Sequence, residues 1–260
     1  MYFSRIRLQR NASPKDIAAL GRFDGYQLHK VVWNFFSDGP DRKRDFLYRH
    51  ETVNGWPTFY TVSERKPYDP SGLWEIKPKP FDPKLAQGER LAFKLRANPV
   101  QLAKKERSST EIETWRKSRE ERGLKEKELT KKRIRHDVVM EAKNKIGFKN
   151  LPNDQRPHFA TLIQEAGMAW LKDKENEFGF FVSDNKEYPA VRVDGYSQHK
   201  VFKGRGSKPV IFSTLEFNGI LTVGDPKTFI EKCLFTGIGP AKAFGCGLLL
   251  VRRISTVQGC

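Results

Sequence analysis

Leu91-Ala-Phe-Lys-Leu-Arg-Ala97 alternates apolar and polar side chains in the manner of a half-buried β-strand and stops at the turn signal Asn98-Pro99. Downstream, Phe159, Leu162, Ile163, Ala166, Trp170 and Leu171 recur at the spacing of a helix with one buried face. Phe178 to Ser183, Val210 to Val223, Lys227 to Phe235 and Gly247 to Ile254 then read as strand, strand, helix and strand. The order is β-α-β-β-α-β.

The start of the chain reads in a similar way. Tyr2 to Leu8 alternates as a strand, and Ser13-Pro14-Lys15-Asp16 has the cap, proline and acid of a helix start. Gly21 and Gly25 interrupt the next stretch, which predicts a separate helix over roughly Tyr26 to Phe36. Phe46 to Glu51 and Thr58 to Glu64 flank a turn-forming Val-Asn-Gly-Trp-Pro and predict a hairpin. Pro67, Pro70, Pro78, Pro80 and Pro83 argue for an extended, edge-like segment after it. The expected architecture is α+β, with two tandem ferredoxin-like (RRM-like) domains built on antiparallel sheets. In each, helices cover one sheet face and leave the other free to meet RNA. We place the first domain at 1–88 and the second at 89–260. The second carries a charged insertion at about 102–131 and a basic hairpin at about 191–215, whose tip is Lys203-Gly-Arg205-Gly-Ser-Lys208. Within the insertion Ser108-Ser-Thr-Glu111 is a candidate capping box, and a solvated helix is its ordinary role. Lys131-Lys132-Arg133 with Arg135 is its part best suited to touch phosphate.

Composition narrows the partner. The 48 Lys and Arg exceed the 31 Asp and Glu, for a formal charge of +17 in 260 residues. Such self-repulsion is relieved by a polyanion, and nucleic acid is the first to consider. No stretch approaches the ~20 consecutive apolar residues of a membrane span, so no membrane partner is expected. The N-terminus reads as a strand without an apolar signal core, which predicts a cytoplasmic protein. Cys233, Cys246 and Cys260 form no C-x-x-C, and His29, His50, His136, His158 and His199 form no H-x-x-x-H, so neither a protein-held metal nor another cofactor is expected.

Tyr26-Gln-Leu-His29-Lys30-Val-Val-Trp33-Asn-Phe-Phe36 carries the candidate chemistry. Residues three apart on a helix share a face, so Tyr26 and His29 can approach one phosphodiester. An imidazole takes and gives protons near neutrality, and RNA supplies its own nucleophile, the 2′-hydroxyl beside each phosphate. A lone histidine near a helix start is more often a packing or surface residue, and only the basic context favours catalysis. Lys30 is a candidate to stabilise charge or to line the RNA groove. Gly237-Ile-Gly239-Pro-Ala-Lys242-Ala-Phe-Gly245-Cys-Gly247 follows a helix and precedes a strand, the reverse of a nucleotide cradle. Its plainest role is a tight connection with positive φ angles; Lys242 gives it a possible contact with RNA.

Taken together, Tyr26-x-x-His29-Lys30-x-x-Trp33-x-x-Phe36, Leu91-x-Phe93-x-Leu95-Arg96-x-Asn98-Pro99, Trp170-Leu171 with Gly179-Phe180, Phe217-x-Gly219-x-Leu221-x-Val223-x-Asp225-Pro226 and the glycine-rich ending resemble the CasE endoribonucleases of subtype I-E CRISPR systems. The resemblance covers nearly the whole chain except about 102–131. It implies two ferredoxin-like domains that bind the stem-loop of CRISPR repeat RNA. They would cut precursor CRISPR RNA at the 3′ base of the stem without metal, retain the product and join the other Cascade subunits. It implies His29 and Tyr26 as the catalytic pair, a stem grip at Lys200, Lys203, Arg205 and Lys208, and a glycine loop with Gly239 and Lys242 close to the RNA. The competing readings are a non-catalytic RNA-hairpin-binding protein and a metal-dependent nuclease.

Overall fold

The computed structural model describes residues 1–13, 15, 25–36, 44–124, 130–183, 190–202 and 206–254, with the backbone alone for 25, 26, 103–105, 132 and 133. Pro14 and Asp16 of the expected helix start lie outside the described residues.

Strand β1 (Tyr2–Leu8) leads to helix α1 (Gly25–Asn34), followed by β2 (Phe46–Val53), β3 (Trp56–Ser63) and β4 (Trp74–Pro80). The sheet order is β2-β3-β1-β4 with every pair antiparallel, the ferredoxin-like arrangement with β1 and β3 central. The expected turn shortens to Asn54-Gly55, both at positive φ, and Trp56 and Pro57 already belong to β3. The usual second helix is replaced by a proline-containing loop over 64–73. There the Asp69 carboxylate accepts from the backbone N–H groups of Ser71 (3.0 Å) and Trp74 (2.8 Å). Among the described residues, α1 is the helix that covers this face. Gly25 and the paired valines of α1 favour the helix only weakly, and its stability rests on burial. Val32 is sealed against Ile6, Leu8, Phe46, Tyr48 and Phe59. The helix ends sooner than its apolar pattern, because Phe35 and Phe36 turn into the core and Phe36 stacks on Phe46 at 4.4 Å. The freed Phe36 carbonyl accepts from Arg65 Nη2 at 2.8 Å.

After β5 (Arg90–Ala97) the chain forms a separate compact unit, Val100–Arg156, longer than the expected insertion. It contains β6 (Val100–Glu106), α2 (Ser109–Glu120), β7 (Lys131–Asp137) and α3 (Val138–Lys145), with β6 and β7 paired antiparallel. The Ser108/Glu111 capping box forms, and α2 has no buried residue. Trp115 holds the guanidinium groups of Arg107 and Arg119 at 4.5 and 4.8 Å.

The chain then builds a second sheet. Helices α4 (Phe159–Lys172) and α5 (Glu175–Phe178) precede β8 (Phe180–Phe181), β9 (Val191–Val201) and β10 (Val210–Val223). The helical turn α6 (Pro226–Thr228) continues as a π-helix over Phe229–Thr236, and β11 (Leu249–Arg253) closes the sheet. Its antiparallel order is β11-β5-β10-β8, with β9 also on β10. The strand expected over Phe178 to Ser183 shrinks to two residues, because Phe178 ends α5 and Gly179 takes a left-handed cap at φ 72°. Among the described residues no helix is long and apolar enough to cross a membrane.

One expectation is corrected: the second face of the first sheet is not wholly free. Leu47 and Val62 form a core with Leu248, bordered by Phe3, Tyr60, Phe81, Phe235 and Leu250. The first sheet is apolar on both faces there, so water is excluded from both. Beside this core lies a charged cluster joining the two sheets. Arg49 of β2, which is buried, donates to Glu51 (2.8 Å) and Glu216 (2.9 Å); Arg96 of β5 also donates to Glu216 and to the His50 carbonyl. Removing one charge from such a cluster strands the others. Glu216→Gln is expected to lower stability by about 3 kcal/mol in urea unfolding; an unchanged midpoint would show that the cluster contributes no net stability.

Candidate active site

Helix α1 lies against the Lys242–Phe244 turn of the glycine-rich loop. His29 is half-buried, with its ring 5.6 Å from that of Trp33, and Trp33 packs edge-on to Phe46 at 5.3 Å. The imidazole thus sits on an aromatic shelf anchored in the first core. Tyr26 falls on the first turn of α1, one turn before His29, but its side chain lies outside the described residues. Lys30 is exposed.

The glycine loop is set by backbone geometry. Gly237, Gly239, Ala241, Gly245 and Gly247 all have φ between 59° and 89°, the region that side chains with Cβ adopt at a cost. The Ile238 N–H donates to the Gly247 carbonyl (2.9 Å), and the Gly247 N–H donates to the Arg96 carbonyl (2.7 Å). Tyr48 reaches from β2 to donate its hydroxyl to the Ala243 carbonyl at 2.9 Å. A Cβ on Gly245 would lie 3.2 Å from the Tyr48 ring, so the glycine admits the tyrosine that anchors the turn. Gly239 is held close to Trp170, 3.3 Å from where its Cβ would be. These contacts explain the glycines as structure, and they fix the position of Lys242.

The electrostatics around that turn are one-sided. Lys242 is half-buried, and burial holds its ammonium below the ordinary lysine range; the nearby Arg44 guanidinium acts in the same direction and Glu177 opposes it. Two desolvated cations are thereby kept together, as a site for an anion requires. Burial also pushes the Cys246 thiol up to about 12, consistent with an inert buried cysteine, and Cys233 is likewise buried and free.

A column of rings joins this turn to the basic hairpin. His199 of β9 stacks on Phe212 of β10, and Phe212 stacks on Phe244, each at 4.9 Å and 22°. His199 Nε2 also lies 2.9 Å from the Thr214 hydroxyl. Neither Tyr48 nor Phe212 was singled out by sequence pattern, since each reads simply as a strand residue. The other expected RNA contacts fall in several places. Lys200 and Lys208 are exposed on β9 and just before β10, while Lys203 and Arg205 lie outside the described residues. Arg135 is exposed on β7, in the Val100–Arg156 unit, and the Arg133 side chain lies outside the described residues.

A family model described as CRISPR associated protein matches residues 1–253. The chain belongs to this family. Among its relatives, the CRISPR system Cascade subunit CasE of Escherichia coli (strain K12) is 28% identical over 252 residues, covering 96% of this chain and 98% of that protein. The CRISPR-associated endoribonuclease Cse3 of Thermus thermophilus is 26% identical over 237 residues, covering 87% of this chain and 89% of that protein. A solved structure of the CRISPR endoribonuclease Cse3 bound to 19 nt RNA shares this fold with a TM-score of 0.62 at 23% identity, covering 97% of this chain and all of that one. In this family member the site geometry carries a pH signature. Burial first, and the charge of Arg96 second, lower the proton affinity of both His199 and His50. The unfolded chain, with histidines near 6.5, then binds more protons, so stability is complete above about 6.5 and falls as the pH drops through the lower folded values. Urea unfolding between about pH 7 and 5 is expected to show this fall. His199→Gln should reduce the fall and leave the share due to His50, whereas an unaltered slope would reject the assignment to His199.

Proposed function

We propose that this protein is a metal-independent endoribonuclease that binds the stem-loop of CRISPR repeat RNA and cleaves precursor CRISPR RNA at the 3′ base of the stem. It acts in the cytoplasm, retains the mature guide RNA and assembles with the other Cascade subunits. The observation that carries the reading is the packing of α1, with His29, against the turn that holds Lys242, within a chain of the CRISPR associated family.

In the reaction the 2′-hydroxyl loses its proton and its oxygen attacks the adjacent phosphorus. The bond from phosphorus to the 5′-oxygen breaks, and that oxygen takes a proton. A 2′,3′-cyclic phosphate and a 5′-hydroxyl result. His29 transfers a proton, and the Tyr26 hydroxyl is the partner for the reacting hydroxyl or phosphate. Proton transfer of this kind contributes about 100- to 10,000-fold. Lys242 offers a preorganised positive charge to the phosphorane, where a half-buried cation acts more strongly than one in water. Lys30 lines the approach. Lys200, Lys203, Arg205 and Lys208 on the hairpin, with Arg133 and Arg135 in the Val100–Arg156 unit, grip phosphates of the stem, and Gly239 lets the backbone come close. A-form RNA admits little side-chain readout in its major groove, so these contacts read shape and charge. The proposed division into a first domain at 1–88 and a second at 89–260 is supported by the presence of two separate antiparallel sheets.

The test is cleavage and binding of the protein's own repeat transcript in the presence of a strong chelator. Wild-type protein is expected to cleave fully and to leave a cyclic phosphate or its opened 3′-phosphate. His29→Ala should bind the hairpin while losing cleavage by at least ~100-fold. Undiminished cleavage in that variant removes His29 from the chemistry, and a wild type that binds without cutting leaves a hairpin-binding protein. Loss of activity in chelator makes the enzyme metal-dependent.

A further inference from the structure

Strand β1 buries Ser4, Ile6 and Leu8 and turns Arg5 and Arg7 to the opposite face of the first sheet. On that face the neighbouring strand β4 sets Lys77 opposite Arg5 and Glu75 opposite Arg7. At the end of β1 a groove of about 620 Å³ opens between Arg7, Gln9, Arg10, Asn11, Glu75 and Lys77. That volume is within the ~300–1,000 Å³ of sites that hold small ligands. Proton transfer at His29 and charge stabilisation at Lys242 make no use of it.

The groove is built for an anion. Three cations line it against one carboxylate, and Glu75 is already paired to Lys77 at 2.6 Å. Arg7 Nε is buried and has no hydrogen-bond partner among the described residues. A buried charged donor left unsatisfied is costly, and a phosphate oxygen is its natural complement. Gln9 and Asn11 add amides that both donate and accept, the equipment for an unstacked base edge or a 2′-hydroxyl. Leu8, the last residue of β1, shares its core with Val32 of α1, so the groove belongs to the domain that carries His29.

We propose that this groove is a second RNA site, which holds a phosphate of the single-stranded segment flanking the repeat hairpin. The proposal rests on the RNA-processing reading above, and its test is arranged to separate the two. Fluorescence anisotropy would compare a bare repeat hairpin with the same hairpin carrying its unpaired flanks, using wild type and the double variant Arg10→Gln/Lys77→Gln. Both substituted side chains are exposed, and unchanged affinity for the bare hairpin checks that the fold persists. Wild type is expected to bind the flanked RNA about tenfold more tightly than the bare hairpin, and the double variant to lose that advantage. The slope of log K against log salt for flanked RNA should shrink by about 0.7 for each phosphate that the variant no longer holds. Equal binding of flanked RNA by the two proteins overturns the inference alone. Inorganic phosphate at millimolar level that erases the flank's advantage, with bare-hairpin binding intact, would assign the groove to free phosphate and overturn the RNA assignment. A wild type that binds neither RNA overturns the functional reading and this inference with it.

Discussion

The junction of the two sheets turns on the Glu216 carboxylate, which takes hydrogen bonds from Arg49 on β2 and Arg96 on β5. Apolar contact at Leu47, Val62 and Leu248 supplies attraction there but little direction, because burial scales with area and not with angle. Charged hydrogen bonds weaken steeply when misaligned, so the cluster supplies the direction. Its residues also have second duties. The Arg96 carbonyl accepts from Gly247, which closes the glycine loop, and its side chain reaches the His50 carbonyl on β2.

Alternation along β2 makes this possible. Tyr48 points into the first core and donates to Ala243, whereas Arg49 points to the other face and joins Glu216. A slip of one residue in the pairing of β2 with β3 would exchange the two, leaving a guanidinium in the aromatic core and the loop without its anchor. The same short strand therefore sets both the angle between the sheets and the place of the Lys242 turn. Opposing this order is the charge of the chain, +17 overall, which also appears locally where Arg44 and Lys242 are both desolvated and Arg44 disfavours the Lys242 charge. Folding keeps these cations together at a cost that an incoming phosphate would offset.

Local patterns were legible where burial and periodicity agree. The alternating β1 and β5, the amphipathic α4 and the long β10 follow directly from their residues, as does the Ser108/Glu111 capping box. Periodicity ran past the end of α1, because Phe35 and Phe36 keep the apolar pattern while leaving the helix for the core. Phe178 misled in the same way: an apolar residue just ahead of a strand fits either state, and the left-handed Gly179 between them decides it. The candidate site was legible as two separate motifs. What joins them was not, since Tyr48, Arg44 and Phe212 are ordinary residues until tertiary contact gives them a carbonyl, a cation or a ring to meet. Both faces of the first sheet being apolar near Leu47 could have been read from the neighbours Phe46 and Leu47, which necessarily point in opposite directions.

In the proposed chemistry the proton-transfer residue and the charge-stabilising residue come from different halves of the chain, His29 from the helix over the first sheet and Lys242 from the connection into β11. Neither half alone could hold a phosphodiester between them, and a displacement of about 1 Å is enough to cost roughly 100-fold in rate. A loop is ordinarily a poor support for such a group. Here hydrogen bonds from Tyr48 to the Ala243 carbonyl and from the Gly247 N–H to the Arg96 carbonyl tie it to both sheets, and the Phe244–Phe212–His199 column connects it to the basic hairpin. In the proposed binding mode, that column links the strands of the hairpin assigned to the RNA stem with the turn that carries Lys242.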